Sequence, residues 1–278
     1  MDRALYRRIV NGVFVTACGF ATAIALVALV LILWSLLSKG IGGLDLKVFT
    51  ESQPAPGSEG GLANAIVGSI MMCVVGMIIA LVVGILAGTW LAEYGGNTAY
   101  GQVVRFLNDV LLSAPSILVG LFVYQILVAP FHGYSAYAGA VALAMLATPV
   151  VTRTTEDILN LQPNALREAG MALGASRAFV IRTIIWKAAR TGLVTGGLLG
   201  FARISGETAP LIFTSLGNQF MNFKMSQPMA SLPTVIYNYG MSAYDDWQRL
   251  AWAGALLIAI AVLSINIIGR VLAREQQR

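Results

Sequence analysis

Residues 63–91 read ANAIVGSIMMCVVGMIIALVVGILAGTWL, an apolar stretch without a single charged residue. A helix needs about 20 such residues to cross the hydrocarbon core of a bilayer, so this stretch predicts a membrane span. Five further runs are also mainly apolar, and together the runs predict an all-α membrane protein with six transmembrane helices. The predicted spans are residues 10–37, 63–91, 103–129, 136–151, 191–215 and 250–272. Pro115 lies inside the third run, where we expect a kink.

The composition agrees with a polytopic membrane protein. Hydrophobic residues make up 57% of the 278-residue chain and charged residues 11%, whereas a soluble domain carries about a quarter charged residues. The formal net charge is +5, but the basic residues flank the apolar runs, where they set the orientation of the spans. We therefore expect contact with membrane lipid and no nucleic-acid partner.

Lysine and arginine are unevenly divided between the two sides of the predicted bundle. Loops on the cytoplasmic side carry the excess of these residues. With the N-terminus inside, the cytoplasmic side holds Arg3, Arg7, Arg8, Arg105, Arg153, Arg167, Arg177, Arg182, Lys187, Arg190, Arg270, Arg274 and Arg278, and the other side holds Lys39, Lys47, Lys224 and Arg249. The sequence thus predicts that both termini face the cytoplasm. Arg203 belongs to neither side because it lies within the fifth run.

The chain divides at the end of its first loop. The apolar run 9–37 is too long for the apolar core of a signal peptide, so we expect it to stay in the membrane. Residues 39–61 are rich in Gly, Pro and Ser and predict an exposed loop. We therefore interpret residues 1–62 as a first transmembrane helix with an extracytoplasmic loop, and residues 63–278 as the core of the protein.

Residues 152–190 form the largest predicted cytoplasmic segment. Pro163 can open a short helix and Gly174 can end it, while Ser176 can cap a second helix. Two short helices of this kind can simply join two spans at the membrane surface. Alternatively, their small side chains allow another protein to approach the backbone closely.

The same segment carries a family motif. Glu168-Ala169-Gly170, followed by Gly174 and then by Ile184, resembles the cytoplasmic loop signature of ABC importer permeases. The sequence departs from that signature at Gly170, where the family has Ala, and at Trp186-Lys187, where it has Leu-Pro. The resemblance implies a type I ABC importer permease fold with coupling helices at about 154–190. It also implies that Glu168, Ala169, Gly170, Gly174 and Ile184 dock against an ATPase.

Other stretches resemble one branch of that family. Residues 201–211 (FARISGETAPL), with 107–110 (LNDV) and 113–116 (SAPS), are similar to PstA-type permeases of the phosphate-specific ABC transporter. This resemblance implies phosphate translocation with a sister permease subunit, an ABC ATPase subunit dimer and an extracytoplasmic phosphate-binding protein. It places ATP with Mg on the partner subunits. The chain itself has no Gly-x-x-x-x-Gly-Lys-Ser/Thr motif to hold ATP phosphates, so we do not expect an enzyme.

Arg203 and Glu207 are the main candidates for the translocation pathway. If the fifth run is one helix, the two residues share a face, and that face continues through Gly192, Gly196 and Gly200. Charged side chains within spans usually mark a pathway or an ion pair. A guanidinium can bind an oxyanion bidentately, with Glu207 orienting Arg203. The alternative is a structural salt bridge at a helix interface.

Asp109 is a further pathway candidate, although Asn108 and Asp109 can equally be interfacial packing and hydrogen-bonding groups. The lone histidine, His132, has no acidic cluster around it, so we do not expect a metal site. The two cysteines, Cys18 and Cys73, lie far apart within apolar runs. Two alternatives to a phosphate permease stay open. One is a permease for another oxyanion or small solute. The other is an ion-driven secondary transporter, which would usually show internal repeats that this sequence lacks.

Overall fold

The protein is built from helices. The computed structural model describes residues 3–275, without the side chains of Arg270 and of residues 272–275, and every regular element in that range is helical. The predicted position of Arg278 lies outside the described residues. In chain order the α-helices are α1 Arg3–Gly43, α2 Leu46–Thr50, α3 Ala63–Trp90, α4 Ala99–Ser113, α5 Ser116–Val123, α6 Ala136–Asn160, α7 Asn164–Ala172, α8 Arg177–Val180, α9 Trp186–Ala188, α10 Arg190–Ile204, α11 Ala209–Thr214, α12 Leu232–Gly240 and α13 Asp245–Glu275.

Four helices in the described range are long and apolar enough to cross a membrane. They are α1, α3 with the π-helical turn Leu91–Gly95 that extends it, α6, and the Asp245–Gly269 part of α13. The pair of α4 and α5 makes a fifth span if its two bent halves are counted together. A sixth span stays a prediction.

The predicted third span is sharply bent at the expected proline. The helix axis turns by 105° between residues 99–113 and 116–128, and Ala114 and Pro115 between them are extended, with ψ angles of 134° and 131°. Proline disfavours the helical conformation of the residue before it, which explains why α4 ends here. The kink expected at Pro115 is present, and it divides the run into two helices.

The prediction of one continuous helix over residues 191–215 is wrong. Helix α10 ends at Ile204, and α11 starts at Ala209 with proline in its first turn. Gly206 weakens the helix, and Pro210 lacks the N–H that would continue it but suits the first turn of α11. With 15 residues, α10 spans about 22 Å at 1.5 Å per residue, which is less than the bilayer core.

Helix α6 is longer than predicted and forms the centre of the bundle. It continues past residue 151 to Asn160, so the first part of the predicted coupling region, from about 154, belongs to this helix. Thr152, Thr155 and Glu156 are buried. These polar residues made the sequence look like a loop, whereas they face neighbouring helices.

Glycines bring α3 and α10 close to α6. A Cβ on Gly84 would lie 2.7 Å from Val151 Cβ, and one on Gly88 would lie 2.5 Å from the Thr152 carbonyl oxygen. On α10, a Cβ on Gly196 would lie 2.5 Å from Thr154 Oγ1. The glycine stripe of the fifth run therefore packs against protein, as its spacing predicted.

Candidate translocation and coupling sites

Arg203 lies one residue before the end of α10, and its side chain is exposed. It makes no hydrogen bond and no ion pair within the described part of the chain. Ile204 beside it is buried, with 1% of its surface exposed. The end of α10 thus places its aliphatic residue inside the chain and its guanidinium outside.

Glu207 does not share a helical face with Arg203. It lies in the break between α10 and α11, where its backbone N–H donates to the Ile204 carbonyl at 3.2 Å. Its half-buried carboxylate has no ion-pair partner within 4.0 Å among the described residues. The predicted spacing of one helical turn between the two charges was wrong, because the helix ends between them.

Asp109, the third pathway candidate, contacts neither Arg203 nor Glu207 among the described hydrogen bonds and ion pairs. Its carboxylate lies 3.9 Å from Arg153 of α6, and its side chain is 59% exposed. Arg153 also contacts Asp157 at 3.4 Å. The neighbouring Asn108 is buried and donates to the Pro149 carbonyl of α6 at 3.2 Å. Among the residues described, no hydrogen bond or ion pair brings Asp109 to Arg203 or Glu207.

The family motif lies on a short hairpin, residues 163–189, which we call the loop hairpin. Its first arm is α7, and the arm ends in a turn where Gly174 has a φ of +82°. The Gly174 N–H donates to the Met171 carbonyl at 2.9 Å, and the Ser176 hydroxyl accepts from the Phe179 N–H at 3.4 Å. The predicted roles of Gly174 in ending one helix and of Ser176 in capping the next are confirmed.

Gly170 is the point where the two arms of the loop hairpin meet. It is buried, and a Cβ at this position would lie 2.7 Å from Val180 Cγ2 and 3.0 Å from Ile184 Cδ1. The departure from Ala in the family motif therefore has a local reason, since glycine lets the arms approach more closely. Gly170 and Ile184 contact each other across the loop hairpin.

The remaining motif residues are on the outside of the loop hairpin. Glu168, Ala169 and Gly174 are exposed. Large apolar side chains surround them, and Leu173 has 88% of its surface exposed. The others are Leu166, Met171 and Phe179. An exposed apolar patch beside an exposed carboxylate is typical of a surface that binds another protein.

Sequence reasoning missed a buried carboxylate at the end of α3. The Glu93 side chain is 2% exposed and that of Arg167, on α7, is 17% exposed. Arg167 Nη2 donates to Glu93 Oε1 at 2.7 Å, and its Nε lies 3.0 and 3.1 Å from the two carboxylate oxygens. A lone acidic residue directly after the uncharged run 63–91 is the signal that could have pointed to it.

Further polar contacts surround Glu93. Arg177 donates to the Glu93 backbone carbonyl, and its guanidinium lies 4.7 Å from the Tyr94 ring centroid. Arg105 of α4 pairs with buried Glu156 at 2.6 Å and donates to the Gly96 carbonyl at 2.7 Å. Three arginines therefore converge on the end of α3.

Comparisons with known proteins identify the family. Residues 80–278 match the model of the binding-protein-dependent transport system inner membrane component family. The phosphate transport system permease protein PstA of Pasteurella multocida is 51% identical over 95% of this chain and 95% of its own length. PstA of Haemophilus influenzae is 48% identical over 96% and 95%, and PstA of Mycobacterium leprae is 36% identical over 95% and 88%.

Two solved structures share the fold. An inward-facing MetNI methionine ABC transporter aligns with a TM-score of 0.66 at 21% identity, over 78% of this chain and 96% of its own. A bacterial alginate ABC transporter in complex with a periplasmic protein aligns with a TM-score of 0.68 at 15% identity, over 99% and 98%. The chain belongs to the binding-protein-dependent transport system inner membrane component family and, within it, to the PstA-type permeases.

Proposed function

We propose that this chain translocates inorganic phosphate across the inner membrane as one permease subunit of an ATP-driven importer. The relatives that match it over nearly their whole length are named as phosphate transport system permeases. Its own chemistry agrees, because Arg203 supplies a planar donor group suited to an oxyanion.

The exposed guanidinium of Arg203 is the observation on which this proposal rests. A charged side chain facing lipid at the depth of a span costs at least about 2.5–3.5 kcal/mol. Arg203 is exposed on this chain and has no hydrogen-bond or ion-pair partner among the described residues, so water or another protein must cover it in the membrane. A sister permease subunit that encloses a water-filled path beside α10 meets this need, with Arg203 lining the path.

Glu207 and Asp109 take separate positions along the proposed path. Glu207 stands at the break after α10, where the anion passes the end of that helix. Asp109, beside Arg153, lies near the cytoplasmic end. Carboxylates at these points repel phosphate, which keeps its binding weak enough for release.

The loop hairpin is the proposed contact to the motor. Two ABC ATPase subunits bind ATP with Mg, and one of them receives the exposed apolar side chains around Glu168, Ala169 and Gly174. Gly170 and Ile184 support this contact from inside, since they hold the arms of the loop hairpin together. An extracytoplasmic phosphate-binding protein delivers the anion at the opposite end.

The proposal includes the topology. Six spans with both termini in the cytoplasm place the loop hairpin and its basic residues inside the cell, in agreement with the excess of Lys and Arg. The bent pair of α4 and α5 and the broken pair of α10 and α11 then act as two of these spans. Residues 1–62 add a first helix and an outer loop to a permease core at 63–278.

Uptake of radiolabelled phosphate tests the proposal. The whole complex is reconstituted in vesicles with the binding protein and ATP, and Arg203→Gln is compared with Arg190→Gln, an exposed arginine at the start of the same helix. We expect Arg203→Gln to abolish uptake with normal assembly, and Arg190→Gln to keep it. Full uptake by Arg203→Gln would remove Arg203 from the pathway. Equal competition by sulfate or molybdate would favour a broader oxyanion permease.

A further inference from the structure

The contacts of both arms of the loop hairpin converge on residues 89–94 at the end of α3. From the first arm, Arg167 reaches the Glu93 carboxylate. From the second arm, Arg177 reaches the Glu93 backbone carbonyl and the Tyr94 ring. Further along this arm, Trp186 Nε1 donates to Thr89 Oγ1 at 3.2 Å. The loop hairpin is therefore fixed to α3 at three points, although the chain connects it to α6 and α10.

The central contact is of a kind that resists separation. Arg167 also donates to the Gln162 and Leu159 carbonyls, both at 2.8 Å, and to Asn164 Oδ1 at 3.4 Å, so its guanidinium is held by four partners. Removing one partner of a buried ion pair leaves an uncompensated charge, which makes the pair costly to break even where it adds little net stability. Glu93, Arg167 and Arg177 line a cavity of about 240 Å³. Directional polar bonds, rather than apolar packing alone, thus join the loop hairpin to α3.

Helix α3 in turn lies tightly against α6. Gly76, Gly84 and Gly88 leave no room for a side chain between the two helices. Close packing transmits strain from one helix to the other because the interface has little free volume to absorb it. A displacement of the loop hairpin that reaches α3 therefore also displaces α6.

We infer that Glu93 is the positioning residue that joins the loop hairpin to α3, so that the motion driven by ATP reaches the spans through α3. This inference rests on the proposed function, in which the ATPase binds the loop hairpin. Glu93 touches neither nucleotide nor phosphate and acts through Arg167 and Arg177. Arg105, which holds the Gly96 carbonyl and Glu156, keeps the end of α3 in place from the other side.

The ratio of phosphate taken up to ATP hydrolysed tests this role in the reconstituted complex. We expect Glu93→Gln to go on hydrolysing ATP while phosphate uptake per ATP falls by about tenfold, within the range that changes in a coupled network produce. Glu59→Gln, which removes the acid of the exposed Lys47–Glu59 pair, should leave the ratio unchanged. If Glu93→Gln lowers assembly, hydrolysis and uptake in parallel, Glu93 is merely structural. Restored coupling in the exchange variant Glu93→Arg/Arg167→Glu would support the pair itself.

Spin-label distances test the rigid connection directly. Labels at Ala172 on the loop hairpin and Leu86 on α3 are both at exposed positions. We expect the distance between the labels to stay constant when ATP is added to the wild-type complex. In Glu93→Asp we expect it to change, because the shorter side chain keeps the charge but no longer reaches Arg167. A wild-type distance that changes with ATP would overturn the inference. A wild-type complex that moves rigidly but takes up no phosphate would instead refute the proposed function.

Discussion

Gly170 lies so close to Val180 that a Cβ on the glycine would stand 2.7 Å from Val180 Cγ2. The two arms of the loop hairpin meet at this point, and Ile184 completes the contact. The surface offered to a partner therefore depends on a residue that is itself buried. Small size at position 170 sets the spacing of the arms, and the exposed residues around Glu168 take their positions from it.

Replacing Gly170 should separate the arms. An alanine at this position requires Val180 and Ile184 to move by a few tenths of an ångström, whereas leucine has no space. We expect Gly170→Ala to retain ATPase binding and Gly170→Leu to lose most of it, measured by co-purification of the ATPase. Ala169→Leu places the same side chain one residue earlier, on the exposed side of α7. Comparing the two leucine variants distinguishes an effect on the packing between the arms from an effect on the surface that contacts the ATPase. If Gly170→Leu retains the ATPase fully, the arms do not need this spacing.

Gly174 should be sensitive to backbone conformation rather than to internal space. A Cβ there would have no neighbour within 4 Å, but φ is +82°, and this region costs a non-glycine residue about 1–2 kcal/mol. We expect Gly174→Ala to loosen the loop hairpin and Gly174→Asn to do so less, because Asn adopts positive φ more readily. Hydrogen exchange of residues 164–188 measures the difference. Identical exchange rates in the two variants would mean that backbone strain at position 174 does not cause the loosening of the loop hairpin.

The contact of α10 with α6 should not accept a larger residue at Gly196. A Cβ there would lie 2.5 Å from Thr154 Oγ1, and overpacking typically costs about 1–3 kcal/mol. We expect Gly196→Val to lower the thermal stability of the purified complex. Gly19→Val on α1, where a Cβ would meet nothing within 4 Å, is the matched control. Equal stability of the two variants would argue against close packing at Gly196.

Arg203 and Glu207 should act independently in transport. The helix ends between them and no ion pair joins them in the described structure. Uptake rates of Arg203→Lys, Glu207→Gln and the double variant form a double-mutant cycle, in which we expect a coupling energy below about 0.5 kcal/mol. A larger coupling would show that the two charges meet in another state of the transport cycle.

The orientation of the chain can be tested by cysteine labelling. Cys18 and Cys73 are replaced by Ala, and single cysteines are introduced at Ser58 in the outer loop or at Ala172 on the loop hairpin, both exposed positions. We expect a membrane-impermeant reagent added to intact cells to label Ser58→Cys, and to label Ala172→Cys only after the membrane is opened. Labelling of both in intact cells would contradict the predicted topology.

Local signals in the sequence were enough for several features. The uncharged run 63–91 became α3, because hydropathy and length alone decide whether a helix suits the membrane. Gly174 and Ser176 ended and started helices as predicted, because capping depends on a few neighbouring residues. The family motif identified the loop hairpin through spacing along the chain.

By itself, the sequence thus determined the helical class, the family and the loop hairpin, since each depends on composition or on residues close together along the chain. Only the tertiary structure decided that Arg203 and Glu207 lie on either side of a helix end, and that α6 continues to Asn160 with its polar residues buried. It also paired Glu93 with Arg167, which is 74 residues away. Such pairs form where folding excludes water from two distant charges at once, and no local pattern records which charges will meet.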